Sequence, residues 1–206
     1  MLGKKTVRQG QMGKVHGAVA VLLVLALGSC GGNFSAPRNL DNACALAAER
    51  PKYFRAMKAT EREWGVPVPV QMAVIHQESK FIGNARTPFR YALGVIPMGR
   101  QSSAYGYSQA LDDTWREYQQ EQGRGGARRD RIQDATDFMG WYFAQSEERL
   151  GIPRNDARNQ YLAYHEGRSG YARGSYNAKP WLVAIAGRVA DRAETYRAQL
   201  AACRRL

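Results

Sequence analysis

The sequence predicts an all-α domain. Three observations carry this: apolar residues recur at helical spacing in long runs beyond residue 41, Pro and Gly bracket those runs, and no convincing series of strands appears. There is also no internal repeat and no low-complexity tract.

The elements follow in order. Residues 42–64 have helical spacing, with Asp41 or Asn42 as N-cap, a break or restart at Pro51 and an end at Gly65. Residues 67–79, PVPVQMAVIHQES, form a second helix with Pro67 or Pro69 in its opening turn. Residues 82–104 carry Gly83, Pro88, Gly94, Pro97 and Gly99 and read as a long loop that has room for a small hairpin. SQALDDTWREYQQE, 108–121, is expected to be helical, and Gly123 to Gly126 break the chain. Residues 134–151 form a helix with Phe138, Trp141, Tyr142 and Leu150 inward. Residues 155–167 form another, ended by Gly167. After a loop over 167–180, a long helix from Trp181 to Cys203 closes the domain.

The N-terminus has a different composition. Lys4, Lys5, Arg8 and Lys14 precede ten apolar residues, Ala18 to Leu27, too few to span a bilayer as a helix. Residues 1–29 therefore read as an export signal. Leu27-Gly28-Ser29-Cys30 resembles the lipobox of bacterial lipoproteins. That resemblance implies cleavage before Cys30, a lipid on its thiol, and a short tether over 30–41. Gly at position 31, where Asp would signal inner-membrane retention, implies the periplasmic face of the outer membrane.

Cleavage there would leave a domain over 42–206 in a mature chain of 177 residues with a net charge of +8, enough for one sizeable core. A basic balance suits a polyanionic setting, but no nucleic-acid motif occurs, and the basic residues are dispersed apart from Arg124, Arg128, Arg129 and Arg131. With Cys30 assigned to a lipid, Cys44 and Cys203 remain near the two ends of the domain. An oxidising compartment favours a disulfide between them; two free buried thiols are the alternative.

The chemistry centres on VIHQESKF, 74–81. Glu78 lies one turn beyond Val74 and two beyond Val70, on an apolar stripe near a helix C-terminus. Burial and the helix dipole both oppose its ionisation, the condition a general acid needs. A structural Glu satisfied by an Arg or a backbone donor is the bland alternative. A metal centre has little material: His76-x-Glu78 lacks a Pro-Cys-x-x-Cys partner, and His-Glu-x-x-His is absent. No cofactor is expected.

Three short motifs add to this. Glu78-Ser79-Lys80-Phe81 resembles the Glu-Ser-x-Phe signature of lytic transglycosylases with the soluble-transglycosylase, goose-lysozyme-like domain. Ala104 to Gln109 resembles that family's Gly-Leu-Met-Gln segment, with Tyr107 and Ser108 replacing Leu and Met. Ala163-Tyr164-His165-Glu166-Gly167 resembles its Ala-Tyr-Asn-x-Gly motif. The order is right, and the resemblance covers residues 60–190. It implies a lysozyme-like helical fold and a murein lyase.

By that resemblance, Glu78 is the single acid/base. It protonates the oxygen between N-acetylmuramic acid and N-acetylglucosamine. It then takes the C6 hydroxyl proton of the muramoyl residue, which closes a 1,6-anhydro ring. Gln109 lines the cleft, Ser79 braces the helix end, and Tyr164 holds the glutamate. His165 replaces an Asn that contacts substrate. Glu166 is expected to be solvated on a loop. If it faced Glu78 across the cleft, it would be a second acid able to hold water for a hydrolase. Among the tyrosines, Tyr107 and Tyr164 are assigned to the cleft, and Trp64, Trp115, Trp141 and Trp181 to the core. The expected partners are peptidoglycan glycan strands and a membrane reached through the lipid, with a monomeric chain. A wall-binding scaffold without turnover is the competing class.

Overall fold

In the computed structural model, residues 34–203 are described; the signal-like segment and the lipobox, with Cys30, lie outside them. Asn42 opens the first helix, α1 (Ala43–Glu49), its side chain accepting from the amide of Ala45 at 2.9 Å. Pro51 restarts the chain as α2 (Pro51–Trp64), and Gly65, at φ 69°, ends it in the left-handed conformation that glycine tolerates best. Then come α3 (Val68–Ser79), a hairpin of β1 (Phe89–Ala92) and β2 (Ile96–Arg100), α4 (Asp112–Glu121) and α5 (Ile132–Leu150). The chain continues through α6 (Ala157–Ala172), a 3-10 turn at Ser175–Ala178 and α7 (Pro180–Ala202). The domain is all-α apart from the two-stranded hairpin.

Helix α3 is the axis of the core. Val68, Val70, Met72, Ala73, Val74 and Ile75 are all buried, so the helix is covered on every side rather than along one stripe. It packs on α7, α2 and α6, and α2 in turn lies along α5. That last crossing is close because Gly140 carries no side chain: a Cβ there would fall 2.4 Å from the Trp64 ring. Trp115, Tyr118, Phe138, Trp141 and Tyr142 form a continuous aromatic cluster between α4 and α5. Leu150, expected inward, is only half-buried at the end of α5. Trp181 departs further: it is 55% exposed in the first turn of α7, although the adjacent Leu182 is fully buried.

Cys44 and Cys203 are bonded, with Cα atoms 5.9 Å apart. The bridge ties α1 to the end of α7. Residues 34–41 do not hang free as a tether would. Asp41 pairs with Arg192 at 2.7 Å, Tyr196 donates to the carbonyl of Leu40, and Phe34 lies against Gly83. The basic cluster at 124–131 is neutralised locally: Arg124 pairs with Asp137 and Glu63, Arg128 with Asp130, Arg129 with Asp112, and Arg131 with Asp134.

Candidate active site

The end of α3 sets the site. Its last turn carries Glu78 and Ser79, after which Lys80 (φ 53°) and Phe81 (φ 61°) both adopt left-handed backbone. Two such residues in succession without glycine are costly and persist only where packing imposes them. Phe81 supplies that packing: it is fully buried, its ring parallel to Tyr53 at 6.1 Å. The chain therefore turns sharply just past Glu78, and the carboxylate sits at a helix end rather than along its flank.

The second motif docks on this end. Ser79 Oγ donates to the carbonyl of Tyr107 at 2.7 Å, and Tyr164 donates its hydroxyl to the carbonyl of Ser108 at 2.6 Å. Two neighbouring carbonyls of the loop are thus held by the first and third motifs. Gly106 makes the approach feasible: its φ is 83°, and a Cβ would lie 2.1 Å from the carbonyl oxygen of Arg129. Ser108 to Leu111, expected as the start of a helix, stay irregular, because these carbonyls are engaged outside any helix and α4 begins only at Asp112. Gln109, again left-handed at φ 52°, turns its amide onto the carbonyls of Ala85 and Gly106 at 3.0 and 2.8 Å.

One assignment changes here. Tyr107 is core, not cleft: it is buried, its hydroxyl is 2.8 Å from that of Tyr53, and its ring packs on Gly83. Ser79 is buried and spends its hydroxyl on backbone, which braces the helix end and leaves nothing for a sugar.

Glu78 is half-buried, and the Tyr161 hydroxyl is close enough to its carboxyl to favour the charged form. Burial pushes its pKa up to about 7, against the opposing pull of the Tyr161 hydroxyl and the Lys80 charge. A carboxylic acid protonated close to neutrality is the result. Tyr164 is near enough for the Glu78 charge to raise its pKa, but its proton is given to Ser108. The phenol that acts on the glutamate is therefore Tyr161, one helical turn earlier on α6, while Tyr164 holds the loop. The sequence motifs do not single out Tyr161; its i, i+3 relation to Tyr164 on the same face is the signal available.

The end of the third motif is built around Glu166. Its side chain is 4% exposed and accepts from Lys179 at 2.7 and 3.0 Å, from Ser175, and from the His165 ring at 3.0 Å. These donors, led by Lys179, hold its pKa down to about 2. It is neither solvated nor on a loop, because α6 kinks at Gly167 (φ 72°, ψ 155°) and the 3-10 turn folds back over it. His165 is exposed, edge-on to Trp181 at 5.4 Å. Gln109, Thr114, Phe138, Tyr164 and His165 line a hollow of about 210 Å³ beside these groups.

A helical domain with a protonated glutamate at the end of its central helix, braced by two further motifs, defines a lysozyme-like glycan-cleaving class. The family model for the transglycosylase SLT domain matches residues 18–203, and the chain belongs to that family. Membership carries transglycosylase activity on peptidoglycan at the level of the family. A comparison with curated proteins returns no match.

Proposed function

We propose that the protein is a membrane-anchored lytic transglycosylase that cleaves the β-1,4 bond between N-acetylmuramic acid and N-acetylglucosamine, with Glu78 as its only acid/base. The observation that supports this most is a half-buried glutamate at the helix end on which the second and third motifs converge, with burial pushing its pKa up to about 7. Glu78 in its acid form gives its proton to the glycosidic oxygen as that bond breaks. The resulting carboxylate, favoured by the neighbouring Tyr161 hydroxyl, takes the proton of the muramoyl C6 hydroxyl as that oxygen bonds to C1. A 1,6-anhydro end forms, and Glu78 regains its acid form. No second carboxylate is needed, unlike the two-carboxylate hydrolases. Glu166 argues against a hydrolase, since its oxygens already accept from Lys179, Ser175 and His165.

Gln109, His165 and the exposed face of Trp181 are the groups we assign to the glycan. Trp181 offers the flat aromatic surface on which a pyranose ring stacks. Anchoring is through a lipid on Cys30 at the periplasmic face of the outer membrane, with a monomeric chain. The test is mass spectrometry of muropeptides released from purified peptidoglycan. Anhydro-muramoyl ends that vanish in Glu78→Gln are expected; reducing ends would mean hydrolysis, and retained binding without products would mean a scaffold.

A further inference from the structure

No side chain of β1 or β2 makes one of the hydrogen bonds described at the site, and the hairpin's surface is unlike the rest of the domain. Six of the eight large exposed hydrophobic side chains among the described residues are Phe89, Tyr91, Leu93, Val95, Ile96 and Met98. They sit within ten consecutive residues, and Leu93, at the turn, is 91% exposed. The turn is sharp, with Leu93 and Gly94 both left-handed at φ 52° and 74°. Both faces of the ribbon are open: every residue of β1 and β2 except Ala92 and Gly99 is exposed. A two-stranded ribbon of this kind is marginal in water, and its apolar surface is a hazard unless something covers it.

The charges around it have one sign. Residues 82–104 include Arg86, Arg90 and Arg100 and no Asp or Glu. Among the described residues these three arginines form no ion pair, in contrast to the neutralised cluster at 124–131. Arg100 instead stacks on Phe89 at 4.3 Å and donates to the Thr87 carbonyl at 2.6 Å, while Arg86 lies over Tyr105 at 4.2 Å. Apolar side chains at the tip and unpaired guanidiniums behind them match the cross-section of a bilayer surface, acyl chains beneath phosphates.

We propose that the hairpin is a membrane-docking element that inserts its tip, Leu93 to Met98, into an anionic phospholipid bilayer while Arg90 and Arg100 engage lipid phosphates. A second copy of the chain fits worse, because a two-fold contact would bring two sets of unpaired arginines together. A glycan strand fits worse too, because the tip is aliphatic, and sugars stack on aromatic faces. The inference does not depend on Glu78 or on turnover.

The test uses the full chain carrying Leu93→Trp, with the native chain as background for its own tryptophans. Vesicles of phosphatidylcholine with or without phosphatidylglycerol carry bromine on their acyl chains, and quenching of the added tryptophan is read. Strong excess quenching in phosphatidylglycerol vesicles is expected. Arg90→Glu or Arg100→Glu should each lower the inserted-to-free ratio of the hairpin by about fivefold or more. Val95→Asp should abolish the excess quenching while the protein still sediments with vesicles through its N-terminus. No excess quenching, or equal quenching in neutral vesicles, overturns the proposal. So does a blue shift at position 93 with purified sacculi in place of vesicles. Muropeptide release by the same variants separates failure here from failure of the catalytic assignment.

Discussion

Tyr161 lies close enough to Glu78 to bias its ionisation, and three residues on, Tyr164 donates its hydroxyl to the carbonyl of Ser108. One face of α6 thus does two jobs, setting the state of the acid and fixing the loop that faces it. Exchanging Glu78 for Gln removes the proton donor without changing shape. Anhydro-muropeptide release is expected to fall by at least about a thousandfold, a general-acid loss compounded by the missing base.

The pH dependence has a defined sign. Turnover should decline as pH rises through about 7, where Glu78 loses its proton. Tyr161→Phe removes a donor that favours the carboxylate, so the descending limb should move to higher pH while the rate below it falls about tenfold. A limb that stays in place would separate Tyr161 from the acid.

Stability carries the same information. The folded pKa of Glu78 lies above its unfolded value, so the folded state holds the extra proton between about 4.5 and 7. Its stabilising contribution is fully present below 4.5 and is lost as pH rises through 7. Glu78→Gln should therefore be more stable than the native chain at pH 8, by up to about 3 kcal/mol, with little difference at pH 4. Chemical denaturation at the two pH values checks this. His76, whose pKa burial lowers to about 4, is common to both proteins and cancels.

Glu166→Gln distinguishes support from catalysis. The product should keep its anhydro end, while stability drops by about 1 kcal/mol, since Lys179 is partly solvent-screened. That loss should fade as pH falls from 4.5 towards 2, where the native carboxylate is itself protonated. Reducing muramoyl ends from the native protein that disappear in this variant would instead make Glu166 a catalytic base.

Trp181→Ala should raise KM for glycan strands by about tenfold and leave kcat nearly unchanged, as expected for uniform binding to a stacked sugar. Circular dichroism should be unaffected, because the side chain is exposed.

Much of this was legible in the sequence. The caps at Asn42 and Gly65, the restart at Pro51 and the apolar run of α3 are local signals, and the structure follows them. The links between motifs are not local. Tyr107 looked like a cleft residue because it stands in the second motif, but Gly83 leaves space that its ring fills from a distant segment. Glu166 looked solvated because its cover, Ser175 and Lys179, arrives from a turn that reads as loop. Ser108 and Leu111 failed as helix because tertiary hydrogen bonds outcompeted helical periodicity. Glu78 itself was readable, since an acid on an apolar helix is conspicuous in any context.

The Cys44–Cys203 bond spans 159 residues and lies just inside both ends of the domain. Mechanically, it makes the folded chain a closed ring with a handle at its N-terminal side. A pull applied upstream of residue 44 passes to the end of α7 through one covalent link, and nothing between the two cysteines can be peeled off helix by helix. An enzyme held by its N-terminus while gripping a taut polymer would bear load without unravelling, and a reducing agent should abolish that resistance before it abolishes the fold.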